Sequence, residues 1–205
     1  QKEKILTYPP KEPNKVPMFI EKKAYQGASG RIYPLPFTDQ FENKPELRDY
    51  DVVTLENEYI KVQTLPELGG RIQMGYDKKN DYHFIYHNSV IKPAMIGICG
   101  PWVSGGIEFN WPQHHRPTTY MPLSFSLEDN ADGSKTVWMG EIEPLYRQKG
   151  MVGVTVCPGR SYIKAKVRLY NGTGVPQNFM WWANLAVHIN EDYRVAFPPD
   201  LTCVC

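Results

Sequence analysis

Residues 161–171 alternate without a break: Ile163, Ala165, Val167 and Leu169 take every second place, and Tyr162, Lys164, Lys166, Arg168 and Tyr170 take the others. Side chains of an extended chain point to opposite sides in turn, so this pattern makes one apolar and one wet face of a strand. A second run repeats it, with Met121, Leu123, Phe125 and Leu127 set between Pro122, Ser124, Ser126 and Glu128. The turn formers Asp129, Asn130, Asp132, Gly133 and Ser134 come next, and 135–142 reads as the returning strand of a hairpin. Upstream, 54–63 reads as two short strands around Asn57 and Glu58, closed by a loop at 66–70.

Downstream, 177–190 reads as one long strand, with Phe179, Trp181 and Ala183 on one side and Met180, Trp182 and Asn184 on the other. Large aromatics on both faces place it centrally, between two layers. Gly 16, Pro 18 and an aromatic content of 13% agree, since aromatics suit pleated surfaces and Gly and Pro punctuate them. No capped helical stretch and no internal repeat stands out. The fold class is therefore all-β, an antiparallel multi-stranded sandwich. Residues 1–48 differ, with Pro9, Pro10, Pro13, Pro17, Pro34 and Pro36 among polar neighbours. They read as an extended arm with one strand, lying over the sandwich domain of 49–205 rather than forming a core of their own.

Charge and hydropathy exclude two classes. Lys+Arg 23 against Asp+Glu 22 leaves a net charge of +1 with no basic block, which argues against a nucleic-acid partner. No apolar run approaches the ~18 residues of a membrane span. The four cysteines, Cys99, Cys157, Cys203 and Cys205, form no Cys-x-x-Cys pair, and no metal or other cofactor is expected. A chain opening at Gln1 fits an exported protein, periplasmic or extracellular, after removal of a targeting segment; a cloned fragment opens the same way. Residues 200–205 resemble the start of another strand, so the sandwich is expected to be completed by later domains of the same protein or by another chain.

The chemistry concentrates in 100–117, which gathers Trp102, Glu108, Asn110, Trp111, Gln113, His114, His115 and Arg116 around the pair Gly105 and Gly106. A sugar calls for that mixture, because a pyranose offers an apolar face to an indole and a ring of hydroxyls to amide, carboxylate and guanidinium groups. The glycines either let backbone approach a ligand or make a bulge. His114 and His115, being adjacent, point to opposite sides, so one of them enters a given pocket. Glu108 with either histidine is the acid/base candidate. Arg71, after Gly69 and Gly70, is either a solvent arginine or a clamp at a pocket rim. Trp181, Trp182 and Asn184 offer one aromatic face to the core and one to a groove, with a polar amide between. His83, His87 and His188 read as incidental, and Asn171-Gly172-Thr173 is a chance glycosylation match in a turn.

Four phrases, Leu55-Glu56-Asn57-Glu58-Tyr59-Ile60-Lys61-Val62, Leu65-Pro66-Glu67-Leu68-Gly69-Gly70-Arg71-Ile72, Gly105-Gly106-Ile107-Glu108-Phe109-Asn110-Trp111-Pro112 and Trp181-Trp182-Ala183-Asn184, together resemble the galactose mutarotase-like superfamily. Within it, the chain is similar to an uncharacterised domain at the start of secreted bacterial proteins that continue into tetratricopeptide repeats. The resemblance spans 51–200 and implies a β-supersandwich whose concave face binds a sugar. It also implies ring opening by paired proton transfer, a His donating to the ring oxygen and a Glu taking the anomeric proton. Arg71, His114, His115 and Arg116 fall where members of the family place substrate-binding groups. No residue matches the family's catalytic Glu, and Glu108 is a substitute for it.

Three roles remain open. One is a carbohydrate-active enzyme acting on an aldose or a glycan end. The second is a binding module holding sugar on Trp102, Trp111, Trp181 and Trp182. The third is a scaffold whose groove docks a partner domain.

Overall fold

The computed structural model describes residues 1–16, 32–112 and 115–200. Among them are fifteen strands and no helix: β1 (Lys2–Thr7), β2 (Glu46–Asp51), β3 (Val53–Glu56), β4 (Ile60–Leu65), β5 (Arg71–Asp77), β6 (Tyr82–His83), β7 (Val90–Ile91), β8 (Ala94–Gly97), β9 (Gly100–Trp102), β10 (Ile107–Asn110), β11 (Ser124–Asp129), β12 (Lys135–Ile142), β13 (Gln148–Val156), β14 (Ile163–Asn171) and β15 (Trp182–Leu185). Two sheets carry the architecture. One has the order β15-β10-β5-β4-β3 with β6 beside β5, and the other the order β11-β12-β13-β14. Their facing sides form one core, with Leu55, Ile60, Val62, Ile72, Ile85, Phe109 and Trp111 against Leu123, Val137, Met139, Val152, Val154 and Val156. Burial of these branched and aromatic side chains, at roughly 25 cal/mol per Å² of apolar surface, is the main force holding the sheets together.

The hairpin forms as its residues dictate. Asp129 pairs with Lys135, Gly133 takes φ 79°, and Asp132 accepts a hydrogen bond from the Ser134 amide at 3.0 Å. The alternation in 121–128 is less simply used. Leu123 enters the core, but Phe125 and Leu127 are 45% and 67% exposed. β11 is an outer strand of its sheet, and Phe125 and Leu127, although opposite the buried Met139 and Val137, stay uncovered. β14 pairs with β13 along its whole length, yet as the other outer strand it keeps Ile163, Val167 and Leu169 only half-buried.

The long strand expected at 177–190 is not there. Only β15 is extended, and it lies at the edge of its sheet, bonded to β10 alone. Aromatics on both sides imply two covering layers only when each finds a layer. Trp181 packs half-buried against the core beside Phe109, Trp182 meets His115 on the other side, and Phe179 and Met180 stay exposed.

The proline-rich N-terminal region does more than lie across a sheet. β1 pairs with β2 over six residues and with β7 in parallel. Ile32, Leu35 and Phe37 join Ile98 and Cys99 in a second apolar cluster, and Tyr50, Val52, Leu65, Leu68, Ile91 and Val103 form a third. Prolines hide such a contribution from pattern reading, because they break the period without preventing burial.

Candidate functional site

β10 has two sides. Phe109, and Trp111 just beyond the strand, face the core, so Glu108 and Asn110 face away from it. Register then sets their neighbours: Glu108 lies opposite Asn184 and Asn110 opposite Trp182 on β15. Trp182 and Asn184 thus share the outer face with Glu108, whereas Trp181 stacks on Phe109 with ring centroids 6.3 Å apart.

Glu108 is 4% exposed, and its carboxylate is fully engaged. Oε1 accepts from the Thr119 hydroxyl at 2.8 Å; Oε2 accepts from Trp102 Nε1 at 3.3 Å and from His115 Nδ1 at 3.1 Å. Burial pushes this carboxyl up, but the Thr119 hydrogen bond, the His115 charge and the Trp102 hydrogen bond outweigh it and hold the group below the ordinary carboxylate range. His115 packs edge-on against Trp182, centroids 4.6 Å apart, with its side chain 24% exposed. Its Nδ1 is held by Glu108, and Nε2 makes no hydrogen bond among the described residues. The result is a histidine oriented by a buried carboxylate beside an indole, on a face not covered by the opposing sheet. Such a group binds a hydroxyl or passes a proton through Nε2.

Other residues expected to meet a ligand are committed to the protein. Trp111 is fully buried in the core, packed so closely over Gly150 that a Cβ there would stand 2.0 Å from the indole nitrogen. Arg116 is buried with its guanidinium 4.2 Å from the Trp111 ring centroid. It pairs through Nη1 with Glu141 at 3.2 Å and donates through Nη2 to the Gly69 carbonyl. Its amide donates to Asn110 Oδ1 at 2.8 Å, and Asn110, although on the side of β10 turned away from the core, is itself fully buried. Arg71 is neither at a rim nor in solvent. It is buried, donates to the carbonyls of Val103 and Gly105, and has its pKa lowered to about 10 by burial, with Glu108 opposing the shift. Gly106, at φ 68°, has room for no Cβ because the Ile72 carbonyl lies where one would be; its closeness serves protein packing.

Asn184 is exposed on the shared face, and Trp102 closes the Glu108 side. Gln113 and His114 lie outside the described residues. Thr119 and Glu141 are the partners that residue type did not point to; neither stands out in sequence, because threonine and glutamate are common and their roles come from long-range contacts. His83 and His87 stack on each other, and His188 packs on Tyr86, all outside this cluster. No group of three His, Cys, Asp or Glu side chains suited to a metal occurs among the described residues.

Residues 28–203 match a family described as a domain of unknown function, DUF5107. In structure the chain is similar to a TPR-domain containing protein from Parabacteroides distasonis ATCC 8503, with 24% sequence identity and a TM-score of 0.78 over 91% of this chain. The chain spans 31% of the length of that protein. At this identity the likeness bears on the fold alone.

Proposed function

The chain belongs to the DUF5107 family, and we propose that it is a carbohydrate-binding domain of galactose mutarotase-like supersandwich type, with its sugar on the outer face of β10 and β15. The observation that carries this reading is the cluster of His115, Glu108, Trp182 and Trp102, in which a polar, oriented side chain stands beside an indole on an open face. A sugar ring lies against the exposed part of Trp182 while its hydroxyls reach His115 Nε2 and the Asn184 amide. Glu108 holds the histidine and does not touch the ligand. With this reading goes the proposal that the domain works outside the cytoplasm, as part of an exported protein that handles glycans.

A second reading has chemistry at the same place. It is favoured by the 3.1 Å contact between Glu108 and His115, since a carboxylate behind a histidine is how proteins position a general acid or base. Ring opening needs two groups that both reach the sugar, however. Glu108 is buried with both oxygens engaged, so binding is preferred over turnover by this chain alone.

The test is proton NMR on a panel of aldoses and short glycans with and without the protein. Saturable broadening with unchanged exchange between the α and β anomers is the expected outcome. Accelerated exchange makes His115 a proton-transfer group and turns the reading into the enzymatic one. Neither effect across the panel removes the carbohydrate reading.

A further inference from the structure

The sheet β11-β12-β13-β14 has two outer strands, and their open edges differ. β14 carries Lys164, Lys166 and Arg168 on one side, all exposed. An antiparallel match of β14 with a second copy of itself, centred on any residue from Lys164 to Arg168, sets cation against cation, which blocks that edge. β11 carries no lysine or arginine. All of its residues, Ser124–Asp129, are exposed, with Phe125 and Leu127 on the core side and Ser124, Ser126 and Glu128 on the other. Phe125 and Leu127 are 45% and 67% exposed, although Met139 and Val137, opposite them on β12, are fully buried. The acidic side chains are engaged: Glu128 accepts from Trp138 Nε1 at 2.6 Å, and Asp129 pairs with Lys135. Nothing among the described residues pairs with the outward backbone of β11. That backbone has a set direction. The Asn130 amide donates to the Ser134 carbonyl, and inward and outward groups alternate along an antiparallel ladder. Ser124, Ser126 and Glu128 therefore bond to β12, and Phe125, Leu127 and Asp129 turn their amides and carbonyls outward.

We propose that β11 is a dimerisation edge, pairing antiparallel with β11 of a second copy about a twofold axis at Ser126. This register uses the outward groups and sets Phe125 opposite Leu127 of the second copy, an apolar pair on each side of the axis. On the other face Ser126 meets its own counterpart, and Ser124 meets Glu128, a hydroxyl against a carboxylate that accepts from it. Neighbouring registers fit worse. An axis at Leu127 sets Phe125 against the Asp129 carboxylate, and an axis at Phe125 needs the Leu123 amide, which already donates to the Pro66 carbonyl at 2.9 Å. The pairing joins two four-stranded sheets into one and covers the apolar side chains that each copy alone leaves in water. An interface one strand wide falls below the ~1,000 Å² of a tight complex, so the association is weak and concentration-dependent. This edge belongs to the sheet that lacks β10 and does not rest on the carbohydrate reading.

Sedimentation equilibrium of the 205-residue chain from about 10 µM to about 1 mM tests the proposal, the range in which so small an interface fills. The mean mass should rise toward that of a dimer and stop there. Leu127→Lys, which puts an ammonium against Phe125 of the second copy, should weaken association at least tenfold, and Lys166→Glu on β14 should leave it unchanged. At the lowest concentration Leu127→Lys should melt at the parent's temperature, because the side chain it replaces is exposed. Cysteine substitution reads the register. Opposed residues that exchange no backbone hydrogen bonds have Cα atoms about 4.5 Å apart, within disulfide reach, so Ser126→Cys should link to itself on oxidation and Ser124→Cys should not. Peptide mass identifies the link. A chain that stays monomeric, mass growth past the dimer, association unmoved by Leu127→Lys or altered by Lys166→Glu, or linkage at 124 as ready as at 126 would each overturn the assignment. So would a clear fall in the melting temperature of Leu127→Lys, which would mean that Leu127 is already covered within one chain.

Discussion

Trp111 and Trp182 both offer an indole that residue type assigns to a sugar, and the fold sends them to opposite sides of the same sheet. Trp111 lies between the sheets, over Gly150 and under the Arg116 guanidinium, with none of its surface exposed. Trp182 lies across from Asn110 on the outer side, against His115. The core side and the outer side of β10 therefore do different work with similar residues. On the core side a side chain contributes stability in proportion to what it fills; on the outer side Glu108 and Asn110 are buried and engaged, and His115, Trp182 and Asn184 are the side chains that keep accessible surface. The two arginines repeat the lesson, since Arg71 and Arg116 are both buried and hold backbone carbonyls in place, although either would have suited an anionic ligand.

This contrast can be broken or sharpened by substitution. Trp111→Ala should cost about 3–5 kcal/mol, the range for truncating a buried tryptophan. Chemical denaturation checks it, and a near-normal midpoint would place Trp111 outside the core. Arg116→Met should come next. It takes the guanidinium from Glu141, which keeps only the Thr118 hydroxyl among the described residues, and strips the stacking group from Trp111, a loss of about 3 kcal/mol by the same measurement.

On the outer side the effect should move from stability to binding. His115→Ala and Trp182→Ala should each change stability by less than about 1 kcal/mol while weakening any saccharide bound by the parent at least tenfold, read by NMR titration. A variant that binds as well as the parent would move the site elsewhere.

Acid should separate the sides further. The Glu108 carboxyl is held below its ordinary value in the folded protein. Its stabilising contribution is therefore complete above the unfolded value near ~4.3 and is lost as pH falls through the lower folded value. Melting temperatures taken from pH 7 downward should fall below about pH 4, less steeply in Glu108→Gln than in the parent. Equal slopes would mean that the Thr119, His115 and Trp102 contacts do not stabilise the ionised form. The smallest effect is expected for Asn184→Ala, a few-fold loss of binding with stability unchanged within about 0.5 kcal/mol.

Much of the fold was legible beforehand. Strict alternation located β14, and the turn chemistry around Gly133 set the register of β11 with β12, because both are local consequences of side-chain direction and backbone φ. Whether an apolar face is covered is not local. Phe125 and Leu127 alternate as well as Val137 and Met139 do, but only the latter pair is buried in the core. In the candidate site, the grouping of Glu108 with a histidine was visible from their nearness in the chain. That Thr119 and Trp102 would complete the carboxylate's shell was not, since threonine and tryptophan signal no such role.

By itself the sequence determined an all-β chain, the places of its best strands and turns, and the segment in which polar and aromatic groups gather. These follow from period, φ preference and composition, which act over a few residues. Only the tertiary structure decided which of those groups face inward. That choice depends on strand register across β5, β10 and β15 and on which sheet lies opposite, contacts between residues far apart in the chain that no local pattern encodes.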